Sequence, residues 1–252
     1  MKILLISDIH ANICALHAIE QAEMCDEIWC CGDLTDFGPF PVDVIHWMQA
    51  RGVRCVLGNH DAHVLSLTEE DCRHAWDART WQWAHQNYEQ LSPDDLSYLR
   101  SLPPTLTLTA DGIAYQIQHQ YDSGYGVVES LDQFNRFWQG EAASERRLLF
   151  GHTHRRCMHQ LGEGALWLNP GSVSYRRPDD PDKRAHYIVI EDGQVRLGAV
   201  AYDRSALLAQ TQAIHRSGHM LATNLQDAYF FFGNAATTRD PLPSFSNHAI
   251  RR

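Results

Sequence analysis

Five short clusters of metal-competent side chains stand out in the 252-residue chain, each placed where an apolar run ends. Asp8 and His10 follow Ile3-Leu4-Leu5-Ile6, and Asp33 follows Ile28 to Gly32. Asn59, His60 and Asp61 follow Val53 to Gly58, and His119 closes the alternating segment Ile113 to Gln118. His152 and His154 follow Leu148-Leu149-Phe150-Gly151. Carboxylate and amide oxygens mixed with imidazole nitrogens suit Mn, Fe, Zn or related divalent cations. Taken singly, an Asp after a strand reads as a turn former or helix cap, and Asn59 as a turn residue. Gly151-His152-Thr153-His154 reads equally as a ligand pair or a turn with exposed histidines. Five such clusters, all at strand ends, point instead to one shared site for two metals.

Positioning such a site requires that the apolar runs be neighbouring buried strands whose ends share one rim. Between the first two runs, Ile13, Leu16, Ile19 and Ala22 have helical spacing, predicting a crossover helix within Asn12 to Met24. Val42 to Ala50, after Pro39 and Pro41, predicts a second. Residues 68 to 101 form a charged, largely helical stretch carrying Trp76, Trp81, Trp83, Tyr88 and Tyr98. These aromatics are expected to make a small satellite core, with Ser92-Pro93-Asp94-Asp95 starting a helix. His17, His46, His74 and His85 lie away from the clusters and receive no chemistry. Ala185 to Tyr202 alternates around Asp192-Gly193, a hairpin signal, and Ser205 to His215 is helical. Tyr229-Phe230-Phe231-Phe232 should dock on the body or on another subunit. The expected organisation is one domain over residues 1–233, with 68–101 as a helical insertion and 234–252 as a tail of unassigned role.

A formal net charge of −10 argues against a broad surface for extended nucleic acid. The four apolar residues after Lys2 are too few for a signal-peptide core, and no stretch nears the roughly 18 needed to span a bilayer. Seven cysteines without a regular framework (Cys14, Cys25, Cys30, Cys31, Cys55, Cys72 and Cys157) read as free thiols in a reducing cytoplasm. Adjacent Cys30 and Cys31 should point to opposite faces of a strand. No membrane partner is expected, and a homo-oligomer is left open.

Ser7-Asp8-Ile9-His10, Gly32-Asp33, Gly58-Asn59-His60-Asp61, His119 and Gly151-His152-Thr153-His154 stand in an order that resembles the calcineurin-like metallophosphoesterases. Asn169-Pro170-Gly171-Ser172-Val173 resembles the segment after the last motif in small bacterial members. The resemblance implies an α/β fold, the four-layer α/β/β/α metallophosphoesterase sandwich. It also implies that Asp8, His10 and His154 hold one metal and that Asp33 bridges. Asn59, His119 and His152 would hold the second, with Mn preferred among Mn, Fe, Zn and Ni. His60 would be the catalytic acid at the leaving group, and Asp36 either the carboxylate that orients it or a simple loop residue.

Such a metal pair acidifies a bridging water to hydroxide and neutralises phosphoryl oxygens for in-line attack. The protein phosphatases of this family place phosphate-binding arginines beside these motifs, where this chain has Phe37 and Leu57. Without those bidentate forks a dianionic monoester loses much of its clamp. The stretch Val56 to Leu65 is similar to that of bacterial symmetrical diadenosine tetraphosphatases, so the expected bond is a phosphodiester or dinucleoside polyphosphate. Arg176 and Arg177 would supply a cationic substrate contact or be solvated surface residues. Tyr121 and the segment Trp76 to Tyr88 would stack on a base. Asn12 would touch phosphate or cap a helix. Ala11, where the family commonly has glycine, suggests a φ below zero. The alternatives are a phosphomonoesterase or protein phosphatase, and a catalytically silent scaffold such as the retromer subunit of this fold. Loss of catalysis should erode the ligand set, which here is complete along with His60.

Overall fold

The computed structural model describes residues 1–74, 82–120, 126–174, 180, 182–218, 220 and 222–232. The chain begins with β1 (Lys2–Ile6), α1 (Ile13–Ala22), β2 (Glu27–Cys30), α2 (Pro41–Ala50) and β3 (Arg54–Cys55). A helical run follows: α3 (Asn59–Ser66), α4 (Glu69–His74), α5 (Trp83–Gln90) and α6 (Pro93–Ser101). Next come β4 (Thr105–Ala110), β5 (Ile113–Gln118), α7 (Leu131–Phe137), β6 (Arg146–Leu149), β7 (Arg156–Gly162) and β8 (Ala165–Pro170). The last elements are β9 (Ala185–Glu191), β10 (Gln194–Val200), α8 (Ser205–Arg216) and α9 (Ala222–Phe232).

Two five-stranded sheets result, ordered β10-β9-β1-β2-β3 and β4-β5-β6-β8-β7. The apolar strands bury both faces, so alternate residues enter different cores. Ile3 and Leu5 of β1, Ile188 and Ile190 of β9, and Tyr115 and Ile117 of β5 meet between the sheets. Leu4 and Ile6 instead face α1 and α2, packing with Leu16, Ile19, Val44 and Met48. Beyond the second sheet, Phe134 of α7 packs on Leu148 and Trp167. Helices, two sheets and a helix therefore stack as the expected four-layer α/β/β/α sandwich. Trp29 and Tyr115 lock the inner layer, their rings 5.0 Å apart and edge to face.

Local signals explain several element ends. Ser92 accepts a hydrogen bond from the Asp95 N–H and Asp95 returns one, closing a capping box on α6. Asp192 and Gly193 both have positive φ, as the tight turn between β9 and β10 requires. Cys30 and Cys31 enter opposite cores, and all seven cysteines are free. Within α1, Ala15, Leu16 and Ile19 are buried, whereas Ala22 lies outside the apolar face.

Two expectations are corrected. Ala11 has φ of 50°, not a negative value. Its neighbours force this: the Ala11 N–H donates to Leu34 O while its carbonyl accepts from the Phe40 N–H. The aromatic stretch is also not a satellite core of its own. Tyr88 and Tyr98 pack against the core beneath α1 and α2, while Trp83 joins Leu207, Ile214 and Phe232 of the C-terminal helices. Trp76, Trp81 and residues 233–252 lie outside the described residues. Among those described, no helix is long and apolar enough to cross a membrane.

The Tyr229–Phe232 run docks as anticipated, with Phe230, Phe231 and Phe232 buried and Phe232 perpendicular to Trp83 at 6.4 Å. Truncating Phe232 removes a fully buried ring, so Phe232→Ala should cost about 3–5 kcal/mol of unfolding free energy. Urea unfolding measures this, and a loss below about 1 kcal/mol would contradict the docking.

Candidate metal centre

The strands β1, β2 and β3 run parallel, as do β5, β6 and β8, so their C-terminal ends form two facing rims. Each functional cluster follows one of these ends, in the departing loop or, for Asn59 and His60, in the first turn of α3. The rims are stitched together directly: Val173 N–H donates to Ser7 O, Ser172 Oγ to Asp8 O, and His152 N–H to Asp8 Oδ1. Gly151 permits this closeness, since a Cβ there would overlap Ser7 Oγ and press on Asp8 Oδ2. Asn169 supports the same loop, its amide donating to Gly151 O and Thr153 Oγ1.

Among the described residues, ten non-glycine residues have positive φ, and eight of them lie in these loops: Asp8, His10, Ala11, Asp33, Asp36, Phe37, His152 and His154. The left-handed conformation costs roughly 1–2 kcal/mol for such residues. Concentrated strain of this kind marks loops whose side-chain directions are dictated by function.

On one side of the site His10 Nε2 lies 3.3 Å from His154 Nε2, which lies 3.1 Å from Asp8 Oδ1. On the other, Asn59 Oδ1 is 2.9 Å from both His119 Nε2 and His152 Nδ1. Asp33 reaches both sides: its Oδ2 is 3.1 Å from His119 Nε2, and the carboxylate also groups with His10 and His60. Adjacent donors on a cation with bonds of about 2.1 Å sit about 3 Å apart, which is the spacing seen here. Protonation supports the same reading. His119 Nδ1 donates to Cys31 O at 2.7 Å, directing Nε2 and its lone pair toward Asn59 Oδ1 and Asp33 Oδ2 in the neutral ring. Two acceptor oxygens facing a lone pair repel it unless a cation or a proton lies between them.

The electrostatics follow from burial. Asp8 and Asp33 are fully buried. Burial pushes both carboxyls up, but His154 beside Asp8, and His119 and His60 beside Asp33, bring each below its ordinary value. Burial, reinforced by nearby His60, lowers His10 to about 3; burial and His119 lower His152 to about 4. Burial opposes the charged form of His119 too, yet the Asp33 carboxylate outweighs it and lifts the ring to about 10.

His60 stands at the edge of this cluster. Its N–H donates to Asp33 Oδ1, and its Nδ1 donates to Asp36 Oδ2 at 2.8 Å. Burial disfavours the imidazolium, but the Asp33 charge and the Asp36 hydrogen bond raise it to about 9. Asp36 is therefore the partner of His60, with His63 Nδ1 a further 3.5 Å contact. Its carboxyl is lowered despite burial, chiefly by the His60 and His63 hydrogen bonds.

The structure brings Asp8, His10, Asp33, Asn59, His119, His152, His154, His60 and Asp36 together. Of the two readings open for Asn12, the structure shows the helix cap. It is fully buried, its oxygen caps α1 at Ala15 N–H, and its amide donates to Ser174 Oγ and Tyr202 Oη. Both amide hydrogens are thereby taken and none remains for a phosphate. Tyr121, Arg176 and Arg177 lie outside the described residues. Trp83 is buried against the C-terminal helices and Tyr88 is partly buried against the core beneath α1 and α2, while residues 75–81 of that segment lie outside the described residues.

Three supporting residues went unassigned in the sequence reading. Asp61 accepts from Leu34 N–H, Thr35 N–H and Oγ1, and Gly58 N–H, tying the Asp33 loop to the Asn59 loop. Burial and the Asp33 charge push its carboxyl up to about 6 against those donors. An acid three residues after the start of a helix is a recognisable N-terminal signal. Asn169 lay in a segment picked out by resemblance but without a role, and Asn87, which contacts the Asp36 loop, carried no comparable signal.

A profile of the calcineurin-like phosphoesterase superfamily domain matches residues 1–192, and the chain belongs to this superfamily. The chain is similar to the uncharacterized protein MJ0912 of Methanocaldococcus jannaschii, with 26% identity over 226 residues, 80% of this chain and 88% of that one. It is also 40% identical over 73 residues to the symmetrical bis(5'-nucleosyl)-tetraphosphatase of Escherichia coli, a match spanning 27% of this chain and only 26% of that enzyme. In structure it resembles a metallophosphoesterase from Sphaerobacter thermophilus, with a TM-score of 0.68, 23% identity, and coverage of 90% and 98%.

A cation entering between His119, Asn59 and Asp33 must displace the His119 proton, so binding releases it. Apparent affinity for Mn²⁺ should rise with pH towards about 10. Titration calorimetry in buffers of different ionisation enthalpy should report about one proton released per chain near neutral pH. Heats that do not depend on the buffer would contradict this assignment.

Proposed function

We propose that the chain is a phosphoesterase dependent on two divalent metals, acting on phosphodiester or dinucleoside polyphosphate bonds. The observation that carries this reading is the placement of Asp33 between two sets of donors, Asp8–His10–His154 and Asn59–His119–His152. A carboxylate set against donors of both groups is what a bridged pair requires. Superfamily membership and the local likeness to a dinucleoside tetraphosphatase support the same class.

Cations held there would lower the pKa of a water and neutralise phosphoryl oxygens. The remaining steps belong to the chain. With Nδ1 of His60 engaged by Asp36, Nε2 is the ring atom that can give a proton to a departing oxygen. Asp36 holds the imidazole in that orientation and, together with the Asp33 charge, favours its protonated form. Asp33 fixes the backbone of His60 through its N–H, so the acid and the bridging carboxylate move as one unit. Phe37 presents an aromatic ring 5.1 Å from His60 and 5.7 Å from His10. That position therefore contributes no cationic fork for a monoester dianion.

Removing the acid should separate leaving groups. His60→Ala should retain its metals by elemental analysis yet lose roughly 10²–10⁴-fold in kcat on alkyl esters. Activated aryl esters, whose leaving groups need little protonation, should lose much less. Equal losses on both would assign His60 another role.

The substrate class is tested by Mn-loaded protein against an aryl phosphodiester, an aryl monoester, diadenosine tetraphosphate and a phosphopeptide. The diester or the tetraphosphate should show the highest kcat/KM. Preference for the phosphopeptide would overturn the argument from Phe37 and Leu57.

A further inference from the structure

The Asp36–Gly38 segment holds an improbable conformation for its sequence. Asp36 and Phe37 are consecutive non-glycine residues with φ of 64° and 67°. The segment is also pressed against the His10 loop, since a Cβ on Gly38 would overlap His10 O. Its outer polar groups are an N–H at Asp36 and a carbonyl at Gly38. Both are met by one side chain from a distant element. Asn87 of α5, fully buried, accepts from Asp36 N–H at 2.8 Å and donates to Gly38 O at 2.8 Å. Only a group with an acceptor and a donor in one plane can bracket the segment in this way. Neither a carboxylate nor an aliphatic chain offers both.

What the bracket fixes is the Asp36 side chain. Its Oδ1 turns inward to accept from Phe37 N–H, and its Oδ2 is left to receive His60 Nδ1. If the segment relaxed to negative φ, the Asp36 carboxylate would swing away from His60. We propose that Asn87 is a positioning residue for the His60–Asp36 pair, through which the helical stretch around α5 acts on the chemistry. The inference rests on the reading of His60 as the leaving-group acid.

The test is a double-mutant cycle on an alkyl phosphodiester and an activated aryl phosphodiester. Asn87→Leu in the otherwise native protein should lower kcat on the alkyl ester on the order of 10–10²-fold, the scale of misplacing a catalytic group. The loss on the aryl ester should be much smaller, with metal content unchanged. In a His60→Ala background the same substitution should cost nothing further on the alkyl ester, because the group it positions is gone. Asn87→Ala, which removes both hydrogen bonds without placing a larger side chain or a charge in the site, should show a loss with the same non-additivity. It carries the test should Asn87→Leu not fold. Losses that add in the two backgrounds, or that strike both esters equally, would overturn the proposal. His60→Ala alone losing equally on both esters would instead overturn the role given to His60.

Discussion

Two carboxylates, Asp8 and Asp33, are fully buried at the ends of adjacent parallel strands, where water cannot screen their mutual repulsion. The rest of the site is organised by the need to compensate them. His152 N–H donates to both oxygens of Asp8, and His60 N–H donates to Asp33. The imidazoles of His154 and His119 approach the same carboxylates. Even so, His119 must be driven to about 10 to balance the charge by a proton alone. A site that gathers charge so deliberately suits cations better than protons. The left-handed residues in these loops are the conformational cost of aiming every donor inward.

Packing between the sheets is what makes those distances reproducible. The first sheet supplies Asp8, His10, Asp33 and Asn59; the second supplies His119, His152 and His154. Their separation is therefore set by the inner apolar layer, where Trp29 meets Tyr115. Arg147, also buried, donates to Tyr115 Oη and to Gly193 O and pins the far end of the layer. Hydrogen bonds between the rims, such as Ser172 to Asp8 O, then fix the near end. Close-packed interiors transmit changes of volume, so a void in this layer would be felt at the donors.

Much of this was legible because strand ends and metal donors are both local features of sequence. An apolar run followed by Asp-x-His announces its own geometry, and Asp192-Gly193 or Ser92-Pro93-Asp94-Asp95 announces its turn or cap. Groups that act across the fold gave no such sign. Asn12 was open between phosphate contact and cap, and Ser174 and Tyr202, more than 160 residues away, decide it. Ala11 was misread because its φ is imposed by Leu34 and Phe40 rather than by its own side chain. Asn87 meets a loop 49–51 residues distant, and nothing about an Asn in a helix signals that role. Trp83 likewise finds its partners in α8 and α9 and not among its sequence neighbours.

The same contrast bears on specificity. In the proposed reading two divalent cations face two carboxylate ligands, which leaves a positive surplus at the site. That surplus is enough to neutralise the oxygens of a diester or of one unit of a polyphosphate chain. A monoester dianion brings more charge and one more exposed oxygen, for which the protein phosphatases of this family provide arginines. Phe37 occupies one of those positions with a ring packed between His10, His60 and the C-terminal helices. An arginine there would have to keep that left-handed backbone while placing its charge beside a His60 already raised to about 9. Two neighbouring cations would compete for the Asp36 and Asp33 fields, and His60 would lose its proton more readily. The aromatic ring thus does more than omit a clamp, because it adds no further cation beside the His60–Asp36 pair.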